Sequence, residues 1–121
     1  GEKINGFYGQ QLAAILSTGR ETPLEMSATV NGKPVTARGL AINASKVFSS
    51  ELGNMLASRC GTFGIVWETD GRTAYCSARS IDGFDFIPFA EAQGGGGHPQ
   101  ACGFIIPLDK LLAALRGQGP L

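Results

Sequence analysis

Apolar and polar positions recur along this chain with two periods, and each change of period marks an element. Tyr8, Leu12, Ile15 and Leu16 fall at helical spacing, which predicts an amphipathic helix over 7–17 stopped by Gly19. Leu24, Met26, Ala28 and Val30 then alternate with Glu25, Ser27 and Thr29, the pattern of a strand with one buried face. Asn31-Gly32 accepts left-handed backbone at two successive residues, so the chain turns back as a hairpin. Positions 35–42 suit the returning strand, and Pro34 and Gly39 mark it as an edge or bulged one. Phe48, Leu52, Met55, Leu56 and Arg59 step again by three and four, giving a helix with Ser49 as cap and Gly61 as terminator.

Phe63, Ile65 and Trp67 return to alternation, Asp70-Gly71 turns the chain, and 72–79 comes back as a strand. On that strand Thr73, Tyr75, Ser77 and Arg79 share one face, while Ala74, Cys76 and Ala78 share the other. Asp85 caps a short helix carrying Phe86, Phe89 and Ala90. A strand follows over 101–106, and Leu108, Leu111, Leu112 and Leu115 form a last helix closed by Gly117. The whole reads as an α/β domain, a roughly five-stranded mixed sheet flanked by helices.

Length and charge narrow the picture. The chain has 121 residues, enough for one domain and short for two. The domain is placed over 21–117, after a helix or linker over 1–20 arriving from an upstream domain, and before a tail over 118–121. The chain opens Gly1-Glu2-Lys3 without a Met, and reads as a piece of a longer protein. Apolar content is 43% and the formal net charge is zero, which excludes both a disordered chain and a broad basic face coating duplex DNA. No apolar run approaches a membrane span. Cys60, Cys76 and Cys102 are odd in number and widely spaced, as expected of a reducing cytoplasm rather than a disulfide framework. With His98 they have the ligand types of a zinc site, but their spacing matches no common pattern.

The candidate chemistry is concentrated in one run. Gly94, Gly95, Gly96 and Gly97 are consecutive, and the sole histidine, His98, follows at once. Four glycines are poor material for a regular element, because each loses much backbone entropy when ordered. Apolar flanks, Phe86 to Ala90 before and Ala101 to Ile106 after, set the run into a core rather than a linker. Bare backbone beside an imidazole suits an anionic ligand, above all a phosphate. Ser77-Ala78-Arg79-Ser80 ends its strand shortly before this region, so Arg79 can offer a bidentate phosphate contact beside His98 if the segments meet. No paired carboxylates, nucleophile elbow or two-metal cluster is visible, so the chain reads as a binding domain lacking its own catalytic groups.

These residues resemble the DHHA1 domain, the C-terminal substrate-binding module of DHH phosphoesterases. The resemblance rests on Gly94-Gly95-Gly96-Gly97-His98, on Ala101-Cys102-Gly103-Phe104 and on Ser77-Ala78-Arg79-Ser80. The short helix from Phe86 to Ala90 and Glu51-Leu52-Gly53-Asn54 extend it. Cys102, Gln93 and Ala78 depart from the usual residues without touching the proposed contacts. The resemblance implies substrate binding by Arg79, Ser80, Gly94, Gly95, Gly96, Gly97, His98 and Gly103, with no catalytic or metal-ligating residue in this chain. It implies a DHH catalytic domain on the same chain, holding divalent metal, typically manganese, whose bound water attacks a phosphodiester. The implied ligand is a nucleotide or a short single-stranded oligonucleotide, and a homodimer is compatible with it. Two alternatives stay open: a tRNA-binding domain of the alanyl-tRNA synthetase type, and an exopolyphosphatase-like member.

Overall fold

A computed structural model describes residues 20–121 of the chain. The helix expected over 7–17 lies outside the described residues. The elements run β1 (Thr22–Val30), β2 (Lys33–Asn43), a 3-10 turn (Lys46–Phe48), α1 (Ser49–Cys60), β3 (Phe63–Thr69) and β4 (Thr73–Ser80). They continue with α2 (Ile87–Ala92), β5 (Gly96–His98), β6 (Ala101–Pro107) and α3 (Leu108–Leu115). Six strands form one mixed sheet in the order β1-β2-β3-β4-β6-β5, one strand more than the pattern suggested. The extra strand is β5, cut from the glycine run itself.

The first hairpin follows from its turn. Asn31 and Gly32 have φ of 52° and 76°, which lets Val30 pair directly with Lys33. The expectation of an edge or bulged strand at β2 is corrected. Its pairing with β1 is unbroken from Lys33 to Ala41, and over Leu40–Asn43 it also pairs in parallel with β3. Pro34 falls in the stretch that has β1 as its only partner, opposite Thr29, so its missing N–H is not needed on the other side. Gly39 is explained by packing, since a Cβ there would lie 2.5 Å from the Phe63 ring.

One face of the sheet carries the main core. Leu24, Met26, Ala41, Ile65, Ala78, Cys102 and Phe104 meet α2 and α3 there. Phe63 lies 5.2 Å edge-on from Phe86, and Phe86 stacks 6.3 Å from Phe104, so α2 is anchored from both sides. Asp85 is not the cap of α2; Phe86 holds that position, and Asp85, one residue ahead of it, accepts from the Ile87 N–H at 2.9 Å. The opposite face carries a smaller core of Ile42, Phe48, Leu52, Leu56 and Val66 beneath α1. Ser49 is not the cap of α1; Phe48 holds that position, and the Ser49 hydroxyl donates to the Lys46 carbonyl at 2.7 Å. Gly61, at φ 78°, terminates the helix as the pattern predicts.

Residues 118–121 do not form a free tail. Leu121 is buried, its N–H donates to Glu25 at 2.8 Å, and its carbonyl accepts from Ser27 at 2.6 Å. Alternation could not reveal this, because a single apolar residue has no period. No helix among the described residues is long and apolar enough to cross a membrane.

The closest approach between layers is at Gly64, where a Cβ would sit 2.4 Å from the Gly53 carbonyl oxygen and 2.6 Å from Leu56 Cβ. Backbone cannot give way there, so Gly64→Ala is expected to destabilise the domain by about 1–3 kcal/mol in urea unfolding. A stability equal to the parent's would show that α1 is not seated as described.

Candidate functional site

Register brings the singled-out residues onto one face. Directly paired residues of neighbouring strands point to the same side of a sheet. Gly64 pairs with Arg79, Arg79 with Ala101, and Ala101 with His98, making one row across β3, β4, β6 and β5. The next row is Val66, Ser77, Gly103 and Gly96, and the one after it Glu68, Tyr75 and Ile105. Helix α1 covers these rows over β3, whereas Gly103, His98 and Ile105 are exposed on β6 and β5. Arg79 and His98 therefore flank an open strip two strands wide, with about 10 Å between their backbones.

The glycine run divides into two kinds of residue. Gly94 and Gly95 end α2: Gly94 has φ 81°, its N–H donates to Glu91, and the Gly95 N–H reaches back to Ala90, both at 2.9 Å. This is a Schellman termination, which favours glycine at the left-handed position. At Gly95 a Cβ would lie 2.1 Å from the Gly103 carbonyl oxygen. Gly97 has φ 144°, and a Cβ there would lie 2.5 Å from the Ala101 carbonyl oxygen. Gly96 differs from all three: its φ is not positive, and nothing lies within 4 Å of an added Cβ. Its cross-strand partner Gly103 is similar, with only ordinary contact at 3.6 Å. The fold demands glycine at 94, 95 and 97, and leaves it unexplained at 96 and 103.

His98 is held by the backbone around it. The turn after it is pinned by Phe86 N–H donating to the Pro99 carbonyl at 2.8 Å and Ser80 N–H donating to the Gln100 carbonyl at 3.2 Å. Gln100 donates to Asp82 at 2.8 Å, and the Cys102 thiol donates to the His98 carbonyl at 3.0 Å. Ser80 does not share the open face. It is buried, with its hydroxyl 2.7 Å from the Phe84 carbonyl and 3.1 Å from that of Pro99. Arg79 is half-buried, with one Nη donating to the Ala78 carbonyl at 3.0 Å. Its stem crosses α1 at Gly53, where a Cβ would lie 2.8 Å from Arg79 Cγ.

Two further residues border the strip. Lys46, with Ser77, Gly94, Gly95, Gly103 and Ile105, lines a depression of about 310 Å³. Its ammonium lies 5.3 Å from the centre of the Tyr75 ring. Sequence reading did not single out Lys46, because one lysine ahead of a helix looks like any solvated lysine; only the fold brings it over β4. Tyr75 is oriented by its hydroxyl, which donates to Asp70 at 3.2 Å. Asp70 also accepts from the N–H groups of Arg72 and Thr73, at 2.9 Å and 2.8 Å.

Among the described residues no three of His, Cys, Asp and Glu converge to hold a metal. Cys76 and Cys102 lie on the core face; burial pushes the Cys76 thiol up to about 12 and also raises Cys102, so both stay protonated.

The fold is an α/β module, a curled mixed sheet whose open face carries Arg79, His98, Gly96 and Gly103. The sequence matches the DHHA1 domain over residues 32–117, and the chain belongs to that family, which is associated with DHH-family phosphoesterases. Comparison with curated proteins found no match.

Two outcomes test this geometry. The N–H donors at Asp70 favour its charged form, so its carboxyl is expected to titrate below the ordinary value of 3.8. The stability it contributes is complete above 3.8 and lost as pH falls through the lower folded value. An NMR midpoint at or above 3.8 would contradict the turn's hydrogen bonding. In Gly53→Ala the new methyl displaces Arg79 while raising helix propensity by about 1 kcal/mol. The Arg79 side-chain NMR signal is therefore expected to shift with little loss of stability, and an unmoved signal would refute the contact.

Proposed function

We propose that this domain binds the phosphate end of a nucleotide or short single-stranded oligonucleotide, for a metal-dependent DHH phosphoesterase domain lying outside the given sequence. The observation that carries this reading is the Gly96 and Gly103 pair. Neither glycine is required by backbone conformation or packing, yet they pair in the row beside Arg79, Ala101 and His98 and leave that row flat. A side-chain-free floor beside two phosphate-seeking groups is useful when a ligand must lie against backbone. Family membership supports the same reading.

In this reading Arg79 supplies a planar, always charged fork, and His98 a ring donor across the strip. The structural glycines 94, 95 and 97 hold His98 in place, and Ser80 fixes the neighbouring turn from below. A divalent metal such as manganese would be held by the catalytic domain and would supply Lewis-acid chemistry there. The chain alone binds without hydrolysing.

Arg79→Ala and His98→Ala are each expected to weaken AMP binding about tenfold or more, the scale of one hydrogen bond to a charged group. Circular dichroism should be unchanged, because neither side chain belongs to a core. Unchanged affinity in both would reject the site. Gly96→Val should leave the melting temperature near the parent's and abolish binding. A variant that binds normally would mean that the flat floor has no ligand to serve.

A further inference from the structure

A second concave place lies toward the other end of the sheet, on β1 and β2, with β3 and β4 between it and the β6–β5 strip. Glu25 and Arg38 are direct cross-strand partners there, so their side chains leave the same face of the β1–β2 pair. Opposite charges so placed attract one another. These two do not meet: among the described residues neither forms a salt bridge, and both line a depression of about 300 Å³. The facing wall comes from the end of α3. Arg116 follows that helix as its C-cap, and Leu115 adds apolar surface in the same depression as Pro23 of β1. The loop beyond is fixed. Gly117 N–H donates to Ala114 and Gln118 N–H to Ala113, each at 3.0 Å, and buried Leu121 is bonded to β1 through both its N–H and its carbonyl. Gly119, at φ 115°, lines the depression with an N–H that makes no hydrogen bond among the described residues. Arg116 likewise has no acidic partner among them.

We infer that this depression binds a small zwitterion with an apolar body, the chemistry of an aliphatic α-amino acid. Arg38 and Arg116 share the lining with the free Gly119 N–H, and that set suits a carboxylate. Each guanidinium fork can donate to both carboxylate oxygens at once, and the N–H adds a further donor. Glu25 is the one carboxylate of the lining, so it takes an ammonium and repels a dianion such as phosphate. Pro23 and Leu115 leave an apolar wall for an aliphatic side chain. The volume is at the small end of ligand pockets, as a single amino acid requires. The ligand closes the gap that the protein's own Glu25 and Arg38 leave open, its ammonium meeting one and its carboxylate the other. No residue of this depression belongs to the strip that carries Arg79 and His98.

The test is an NMR titration of the 121-residue chain with L-leucine, with isocaproate, which lacks the amine, and with isoamylamine, which lacks the carboxylate. Shifts are expected at Glu25, Arg38, Arg116 and the Gly119 N–H. Leucine should bind about tenfold more tightly than isocaproate, the scale of one hydrogen bond to a charged group, and isoamylamine should not bind. Arg38→Gln and Arg116→Gln should each weaken leucine about tenfold. Circular dichroism should be unchanged in both, because both side chains are exposed. Glu25→Gln should erase the preference for leucine without weakening isocaproate. Isocaproate bound as tightly as leucine by the parent overturns the assignment, as does leucine binding that survives both arginine variants. An absence of shifts with leucine at millimolar concentration, the weak end of specific affinity, overturns it as well.

Discussion

The backbone contact between α1 and β3 at Gly53 and Gly64 is the constraint on which the rest of the open face depends. Two glycines let a helix lie against a sheet more closely than any side chain allows. That approach seats Leu52 and Leu56 over Ile42 and Val66, closing the smaller core with few residues. It also decides which part of the sheet stays uncovered: α1 sits over β2, β3 and β4, and β6 and β5 lie beyond it. The same notch receives the stem of Arg79, so one packing solution both builds a core and seats that side chain.

The glycine run shows how one stretch of sequence can meet several physical demands at once. Its first two members stop α2 and lie on the backbone of β6. Its fourth bends the chain into a turn whose carbonyls are taken up by Phe86, Ser80 and Cys102. Only the third is free of such duties. A run that looks uniform in sequence is thus three parts scaffold and one part surface, and the scaffold parts are what give the surface part a fixed position.

Much of this was legible from alternation. The hairpin at Asn31-Gly32, the β3–β4 pair and the two faces of β4 all follow from local rules, because each depends on residues near one another. The departures share a cause. Pro34 and Gly39 argued for an edge strand, but whether β2 is internal depends on β3, more than twenty residues away. Ser80 lies beside Arg79 in sequence and on the opposite side of the sheet in space. Lys46 meets Tyr75 only because α1 crosses back over the sheet. Leu121 carries no periodic signal, and its burial depends on a strand near the other end of the domain.

The two ends of the sheet are finished in different ways. On β1, the backbone at Glu25 and Ser27 is already paired with Leu121, so part of that outer edge is closed to other chains. β5 is only three residues long and begins with two glycines. It offers little length and almost no side-chain surface on which a foreign strand could zip. An open sheet usually invites association along its borders. Here one border is partly occupied and the other is too short and bare to template growth, so the exposed strip can stay uncovered without making the molecule prone to aggregate.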